Sequence, residues 1–177
     1  MLVLGVDPGT IHLGYGLVDE DDALRFIECG TLEAPQRDAI EFRLLRMHTG
    51  LVELIRRTHP AAVAVEEPFV VQAARNSALA VGEARAVALI AAAAEGVPVY
   101  QYTPTRVRAA VTSYGAADKL QVQQMLGLLL GRSMKEFALD ACDALAVAVC
   151  HLRAARLAEL EESTSGERGR PRARRGQ

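Results

Sequence analysis

Short apolar runs bounded by turn residues alternate along the chain with longer stretches of helical periodicity. The runs at 2–6, 13–18 and 24–32 predict three strands, and the short connections between them predict an antiparallel meander. Two further runs, at 61–65 and 97–101, predict a fourth and a fifth strand. The sequence therefore predicts a five-stranded sheet.

Helical patterns occupy most of the remaining chain. Apolar residues recur at helical spacing from Asp38 to about Thr58, and Asp38 with Glu41 resembles a capping box. An alanine-rich helix is predicted over about 74–94. Three more helices are predicted: one from Thr103-Pro104, one over 119–130 capped by Asp118 with Gln121, and one over about 141–160.

The order of these elements indicates an α/β fold, with helices covering a mixed sheet. Residues 1–162 suit a single domain of ordinary size. Residues 163–177 are polar and rich in glycine and arginine, so they are predicted to form a disordered tail.

Composition and charge refine this picture. The chain has 177 residues, of which 50% are hydrophobic and 24% charged, so it has enough apolar material for a core. Its formal net charge is −2, but residues 167–177 contain five arginines and one glutamate. An acidic body joined to a basic end suits a protein that gathers acids around a cation and meets a polyanion elsewhere. A solubilising tail is the alternative reading.

Several function classes are disfavoured by the sequence. No apolar run both reaches about 18 residues and lacks charge, which argues against a membrane-spanning helix. The amino terminus lacks the basic start of a signal peptide. The three cysteines, Cys29, Cys142 and Cys150, have no zinc spacing and are odd in number, so a reducing cytoplasmic location is expected.

Acidic residues follow two of the predicted buried strands. Asp7 ends the first strand and Glu66 ends the fourth, and the carboxyl ends of strands are where open α/β sheets bind ligands. Asp140 and Asp143 lie three residues apart at the start of the last helix, on one face. On spacing alone, solvated strand ends and ordinary helix-start chemistry remain alternatives.

Four converging carboxylates would repel one another. Two unit charges about 4 Å apart cost about 4 kcal/mol at an effective dielectric constant of about 20. Bound cations would make the cluster tolerable, and an all-oxygen ligand set favours Mg²⁺ or Mn²⁺ over zinc. Two such ions can activate a water and stabilise the leaving oxygen of a phosphodiester.

An ordered set of segments resembles the RuvC family of bacterial Holliday junction resolvases. They are VLGVDPGTIHLGYGLV, AVAVEEPF, NSALAVGEAR, GAADKLQVQ and LDACDALAVAVCH, and they run from about residue 2 to 152. The resemblance implies a ribonuclease H-like fold, a homodimer and metal-dependent nicking of two like-polarity strands of a four-way DNA junction. It also implies 5′-phosphate ends and contact with the RuvA and RuvB branch-migration proteins.

The resemblance assigns the catalytic, metal-binding acids to Asp7, Glu66, Asp140 and Asp143. It places Phe69 against unpaired bases, with a core position as the alternative, and Lys119 against the scissile strand. A lysine in the first turn of a helix opposes the helix dipole, which a bound phosphate would relieve. Candidate DNA-backbone contacts are the three arginines Arg75, Arg106 and Arg108, with a solvated helix face as the alternative for the last two.

The chain departs from its relatives at a few DNA-contacting positions. Arg75 stands near where relatives often carry a lysine, and Glu83 and Ala86 replace part of a QARG pattern. The alanine-rich helix is a candidate dimer seam, with packing on the sheet as the alternative; the residues concerned are Ala80, Ala84, Ala88 and Ala91.

Two rival functions remain at this stage. The Asp7-Pro8-Gly9-Thr10 turn is similar to the phosphate loop of actin and Hsp70-type ATP-binding domains, although those need two such domains. A catalytically silent dimer that binds branched DNA would need no metal.

Overall fold

The computed structural model describes residues 1–67 and 75–168. Within these ranges the chain forms five strands and five helices. They are β1 (Leu2–Asp7), β2 (His12–Glu20), β3 (Leu24–Glu33), α1 (Ile40–Thr58), β4 (Ala62–Glu66), α2 (Arg75–Ala94), β5 (Val99–Tyr102), α3 (Pro104–Thr112), α4 (Lys119–Leu129) and α5 (Leu139–Arg168).

The strands form one mixed sheet in the order β3-β2-β1-β4-β5. β1, β2 and β3 pair antiparallel, which confirms the predicted meander. β4 pairs parallel with β1 and with β5. All five predicted strands are present, and the predicted α/β architecture is confirmed.

Side chains on opposite faces of the sheet enter two separate cores. Leu4 and Val6 of β1 pack on the face covered by α1 and α2. Val3 packs on the other face, which α5 covers with α3 and α4 beside it. Because side chains alternate along a strand, Asp7 lies on the same face as Val3 and therefore points towards α5.

Helix α5 lies unusually close to the sheet. At Gly5 of β1 an added Cβ would stand 2.0 Å from the carbonyl oxygen of Ala144, so only glycine fits beneath the helix. The first turns of α5 are nearly all buried and consist largely of small apolar residues. This close approach brings the start of α5 to the carboxyl end of β1.

Two of the three cap predictions are confirmed, and one is wrong. Asp118 and Gln121 form a reciprocal capping box, and the Thr103 side chain accepts a hydrogen bond from the Arg106 backbone N–H. At α1, however, the N-cap is Ala39, which makes no side-chain cap bond. Asp38 instead belongs to a turn in which its N–H donates to Pro35 O, one residue too early to cap the helix.

The last helix is longer than the sequence predicts. It begins at Leu139 and continues to Arg168, so it extends into the first residues of the segment that the sequence assigned to the tail. The segment 157–162 contains good helix formers, and the helix propagates from it. Residues 169–177 lie outside the described part. Among the helices of the described ranges, none is long and apolar enough to span a membrane.

The alanines proposed for a dimer seam are mostly internal. Ala84, Ala88 and Ala91 are at most 1% exposed and face the sheet and α1. Burial within the subunit therefore takes these three out of a seam between subunits, and packing inside the subunit is the correct alternative for them. Ala80 is only part-buried and stays a candidate. Small side chains serve here to let α2 pack closely against α1 and the sheet.

Candidate active site

Asp7 and Glu66 end neighbouring parallel strands. The register pairs Val6 of β1 with Val65 of β4, so the next residue of each strand leaves the sheet at the same edge. Ala62 and Ala64 of β4 pack in the core beneath α5, and Glu66 follows the same alternation. Both carboxylates thus face α5.

The first turn of α5 supplies two more carboxylates. Oxygens of Asp7, Asp140 and Asp143 all lie within 4.8 Å of one another, close enough to share a metal ion. Glu66 is not part of this mutually close trio, but its carboxyl group is within hydrogen-bond reach of that of Asp7. The structure therefore brings the four acids that the sequence analysis singled out to one place.

Burial and crowding change the titration of these acids. Desolvation, followed by the charges of Glu66, Asp143 and Asp140, raises the pKa of Asp7 from 3.8 to about 8, against an opposing effect of Lys119. Desolvation and the charge of Asp143 also raise the pKa of Glu66. Without a cation the cluster therefore favours holding a proton.

Lys119 closes one side of the carboxylate cluster. Its ammonium nitrogen lies 2.5 Å from Asp143 Oδ2. Burial alone would lower the pKa of Lys119, but the hydrogen bond with Asp143 and the charges of Asp7 and Asp140 raise it above its ordinary value. Lys119 is therefore a fixed positive charge at the start of α4, with 57% of its side chain exposed to solvent.

The structure describes some, but not all, of the side chains predicted to contact DNA. Arg108 of α3 is near enough to Glu66 for its charge to lower the pKa of that acid. Arg106 stacks over the Tyr102 ring at 5.0 Å from the ring centroid, so its guanidinium lies on β5. Phe69 lies outside the described residues, and Arg75 begins α2 with a side chain that is likewise outside them.

Two contacts on the opposite face of the sheet were not predicted. Arg43 of α1 donates a hydrogen bond to the Thr10 hydroxyl at 3.3 Å, which braces the turn after Asp7. Arg85 of α2 bonds to Gln101 and lies 3.9 Å from Glu67. Strand alternation would have placed Glu67 on the face opposite Glu66, but its arginine partner depends on tertiary packing.

Gln123 is a further residue that the sequence analysis missed. Its side-chain amide donates to Met134 O at 3.0 Å and contacts Cys142 Sγ at 3.6 Å. The available signal was its spacing of four from Lys119, which puts both residues on one face of α4. The amide therefore joins α4 to the beginning of α5.

The donor set of the cluster is chemically simple. All its ligand atoms are carboxylate oxygens, and three of the acids are mutually within reach of one ion. Hard divalent cations such as Mg²⁺ prefer such ligands. The close approach of these carboxylates and the raised pKa of Asp7 both favour a bound positive charge, so the residues present fit a divalent cation.

Comparisons with known proteins agree along almost the whole chain. The family profile described as "Crossover junction endodeoxyribonuclease RuvC" matches residues 3–151. A protein of that name from Chloroflexus aggregans is 47% identical over 152 residues, which cover 85% of this chain and 92% of the relative. One from Rubrobacter xylanophilus is 44% identical over 173 residues, covering 97% and 93%.

Solved structures give the same answer. The chain is similar to "T. thermophilus RuvC in complex with Holliday junction substrate", with a TM-score of 0.83 and 35% identity, covering 89% of this chain and 96% of the other. The fold, though not more, is shared with the yeast mitochondrial Holliday junction resolvase, at a TM-score of 0.67 and 15% identity, covering 93% and 85%. The ribonuclease H-like fold is thereby confirmed.

Proposed function

Because this chain belongs to the RuvC family of crossover junction endodeoxyribonucleases, we propose that it resolves four-way DNA junctions by symmetric, metal-dependent nicking of two like-polarity strands. The observation that carries the proposal is the meeting of Asp7, Asp140 and Asp143 within 4.8 Å. A junction-bound relative of the same fold supports the substrate.

Divalent ions are the proposed cofactor. Asp7, Glu66, Asp140 and Asp143 would hold them, with Mg²⁺ as the expected ion and Mn²⁺ as a substitute. When bound, two such ions supply activation of a water and stabilisation of the departing 3′ oxygen, which leaves a 5′ phosphate.

The chain's own residues perform the remaining work. β1 and β4 fix Asp7 and Glu66 at one rigid sheet edge, and the first turn of α5 carries Asp140 and Asp143 against it. Lys119 would hold a phosphate of the scissile strand and offset negative charge that develops there; its contact with Asp143, beside the other acids, supports this role. Phe69 and the arginines Arg75, Arg106 and Arg108 remain proposed DNA contacts.

A homodimer would supply the two sites that a junction of near two-fold symmetry requires. Support comes from α2, whose outer face exposes Leu79 and Ile90 by 66% and 58%. A helix that is apolar on its outer face as well as its inner face is usually buried on both, so a partner subunit would cover the outer face of α2. RuvA and RuvB remain proposed partners. The proposed location is a reducing cytoplasm, which suits the free thiols of Cys29, Cys142 and Cys150.

A second candidate function is junction binding without cleavage. The cluster argues against it, since binding alone gives no reason to gather acids that repel both one another and DNA. The ATP-binding alternative leaves the acids of α5 without a role, and the family match replaces it.

The deciding experiment compares Asp7→Asn with Asp22→Asn, an exposed acid in the β2–β3 turn. Each variant is given a synthetic four-way junction in Mg²⁺, and nicking and binding are measured separately. Asp7→Asn should abolish nicking and keep binding, while Asp22→Asn should behave as the parent protein. Full nicking by Asp7→Asn, or metal-independent nicking, would overturn the proposed mechanism.

A further inference from the structure

The backbone carbonyl oxygen of Met134 is contacted by three parts of the protein. Gln123 of α4 donates to it at 3.0 Å, and the Phe137 N–H from its own loop donates at 3.2 Å. The Cys142 thiol of α5 approaches the same oxygen at 3.8 Å. One oxygen thus joins α4, the loop after it and the first turn of α5.

Gln123 makes its contact with this oxygen from a part-buried position on α4. Met134 and Cys142 are each 2% exposed, so the hydrogen bond from Gln123 is shielded from water on that side. The Gln123 amide also contacts Cys142 Sγ at 3.6 Å, next to Asp143 in sequence. A side-chain amide used in this way fixes the distance between the two helices.

The ion pair at the active site spans the same two helices. Lys119 lies one helical turn before Gln123, and its ammonium nitrogen contacts Asp143 at 2.5 Å. That lysine is 57% exposed, and an ion pair so open to water does little to hold two helices together. Its geometry must therefore be set by contacts deeper between α4 and α5.

We propose that Gln123 is a positioning residue for Lys119. Its amide ties α4 to the loop and the first turn of α5, and so sets where the ammonium group lies relative to Asp143 and the other acids. Gln123 touches neither substrate nor metal in this role. The inference rests on the proposed role of Lys119 at the scissile strand.

The test is a double-variant comparison on the full chain. Gln123→Met keeps the length of the side chain and removes the donor, and Gln124→Met alters the exposed neighbour as a matched control. Single-turnover nicking of a four-way junction in Mg²⁺ is measured for both, for Lys119→Ala, and for Lys119→Ala combined with Gln123→Met. Junction affinity is measured with the metal chelated.

Gln123→Met should slow nicking by about 10- to 100-fold, the loss expected when a reacting group is misplaced by about 1 Å. Junction affinity should change little, and Gln124→Met should cut normally. In the Lys119→Ala background, Gln123→Met should cause no further loss. If Gln123→Met does not fold, Gln123→Glu, which keeps the shape and presents an acceptor to Met134 O, takes its place.

The experiment distinguishes failure of the role of Gln123 from failure of the role of Lys119 and of the proposed function. Losses that multiply in the double variant, a fall in affinity equal to the fall in rate, or normal nicking by Gln123→Met would overturn the role of Gln123 alone. Normal nicking by Lys119→Ala would remove the proposed role of Lys119 and this inference with it. Absence of nicking by the parent protein would instead contradict the proposed function.

Discussion

Gly14 of β2 lies directly beneath the carbonyl oxygen of Asp140. A Cβ atom added at residue 14 would stand 2.0 Å from that oxygen and 2.5 Å from the carbonyl carbon. Both neighbours are backbone atoms, which cannot move aside as a flexible side chain would. The first turn of α5, which carries Asp140 and Asp143, therefore rests on a position where only glycine fits.

Gly14→Ala should accordingly weaken metal binding and nicking more than it lowers the stability of the fold. The methyl group would push the first turn of α5 from the sheet, and metal affinity and nicking should fall by at least about 10-fold. Isothermal titration with Mg²⁺ and a junction-nicking assay measure the two effects.

The matched control is Gly82→Ala in α2. No atom of the same subunit lies within 4 Å of a Cβ built there, so the alanine should raise helix stability by up to about 1 kcal/mol and leave Mg²⁺ affinity unchanged. Unchanged metal affinity in Gly14→Ala would contradict the argument from close approach.

Stability should depend on pH through the acid cluster. The pKa of Asp7 rises on folding from 3.8 to about 8, so between these values the folded state holds a proton that the unfolded state releases. The free energy of unfolding should therefore fall as pH rises through this window when metal is absent. Thermal unfolding in chelator from pH 4 to 9 measures this.

Two comparisons isolate the cause of this pH dependence. Asp7→Asn should flatten the dependence, because it removes the carboxyl whose pKa burial and the neighbouring acids raise to about 8. Mg²⁺ should raise the melting temperature more at high pH than at low pH, because the ion binds ionised carboxylates. Equal stabilisation by Mg²⁺ at both ends of the range would count against the carboxylate cluster as the metal site.

Lys119→Met should remove the positive charge while keeping most of the side-chain volume. We expect nicking to slow by about 10²- to 10³-fold, the usual loss when a group that stabilises developing charge is removed. The pKa of Asp7 should rise further, since Lys119 lowers it in the parent protein. Single-turnover rates give the first effect, and NMR titration of the Asp7 carboxyl gives the second; a rate within twofold of the parent would contradict the role of the lysine.

Tyr102→Phe tests a buried polar contact away from the carboxylates. The Tyr102 hydroxyl lies 2.7 Å from His151 Nδ1, and Tyr100 stacks on the same imidazole with ring centroids 4.3 Å apart. Loss of the hydroxyl should cost about 1 kcal/mol of unfolding free energy, measured by urea denaturation. Tyr114→Phe, at an exposed tyrosine, should cost little, and a similar loss in both variants would show that the buried contact is unimportant.

The sequence was a good guide wherever one local pattern decides the outcome. Strand positions followed from short apolar runs, and the strand order put Asp7 and Glu66 at one edge because parallel neighbours end together. The caps at Thr103 and Asp118 were equally local. At Asp38 the same capping pattern misled, because the turn from Pro35 delays the helix start by one residue.

Contacts that depend on how elements pack escaped sequence reasoning. The stripe of small residues in α2 suits a helix partner and a sheet equally well, and only the assembled fold shows that Ala88 and Ala91 face the sheet. The bond from Gln123 to the Met134 carbonyl joins residues whose proximity no local pattern encodes. The helical extension to Arg168 depended on propagation from the preceding turns.

Because α5 lies so close to the sheet, metal affinity should report small changes in the position of that helix. Two of the proposed ligands lie on α5, and the other two lie at the ends of β1 and β4, so any small sliding of the helix along its axis separates the pairs. A substitution or bound molecule far from the acids that tilts α5 would therefore show itself first as weakened ion binding, before unfolding begins.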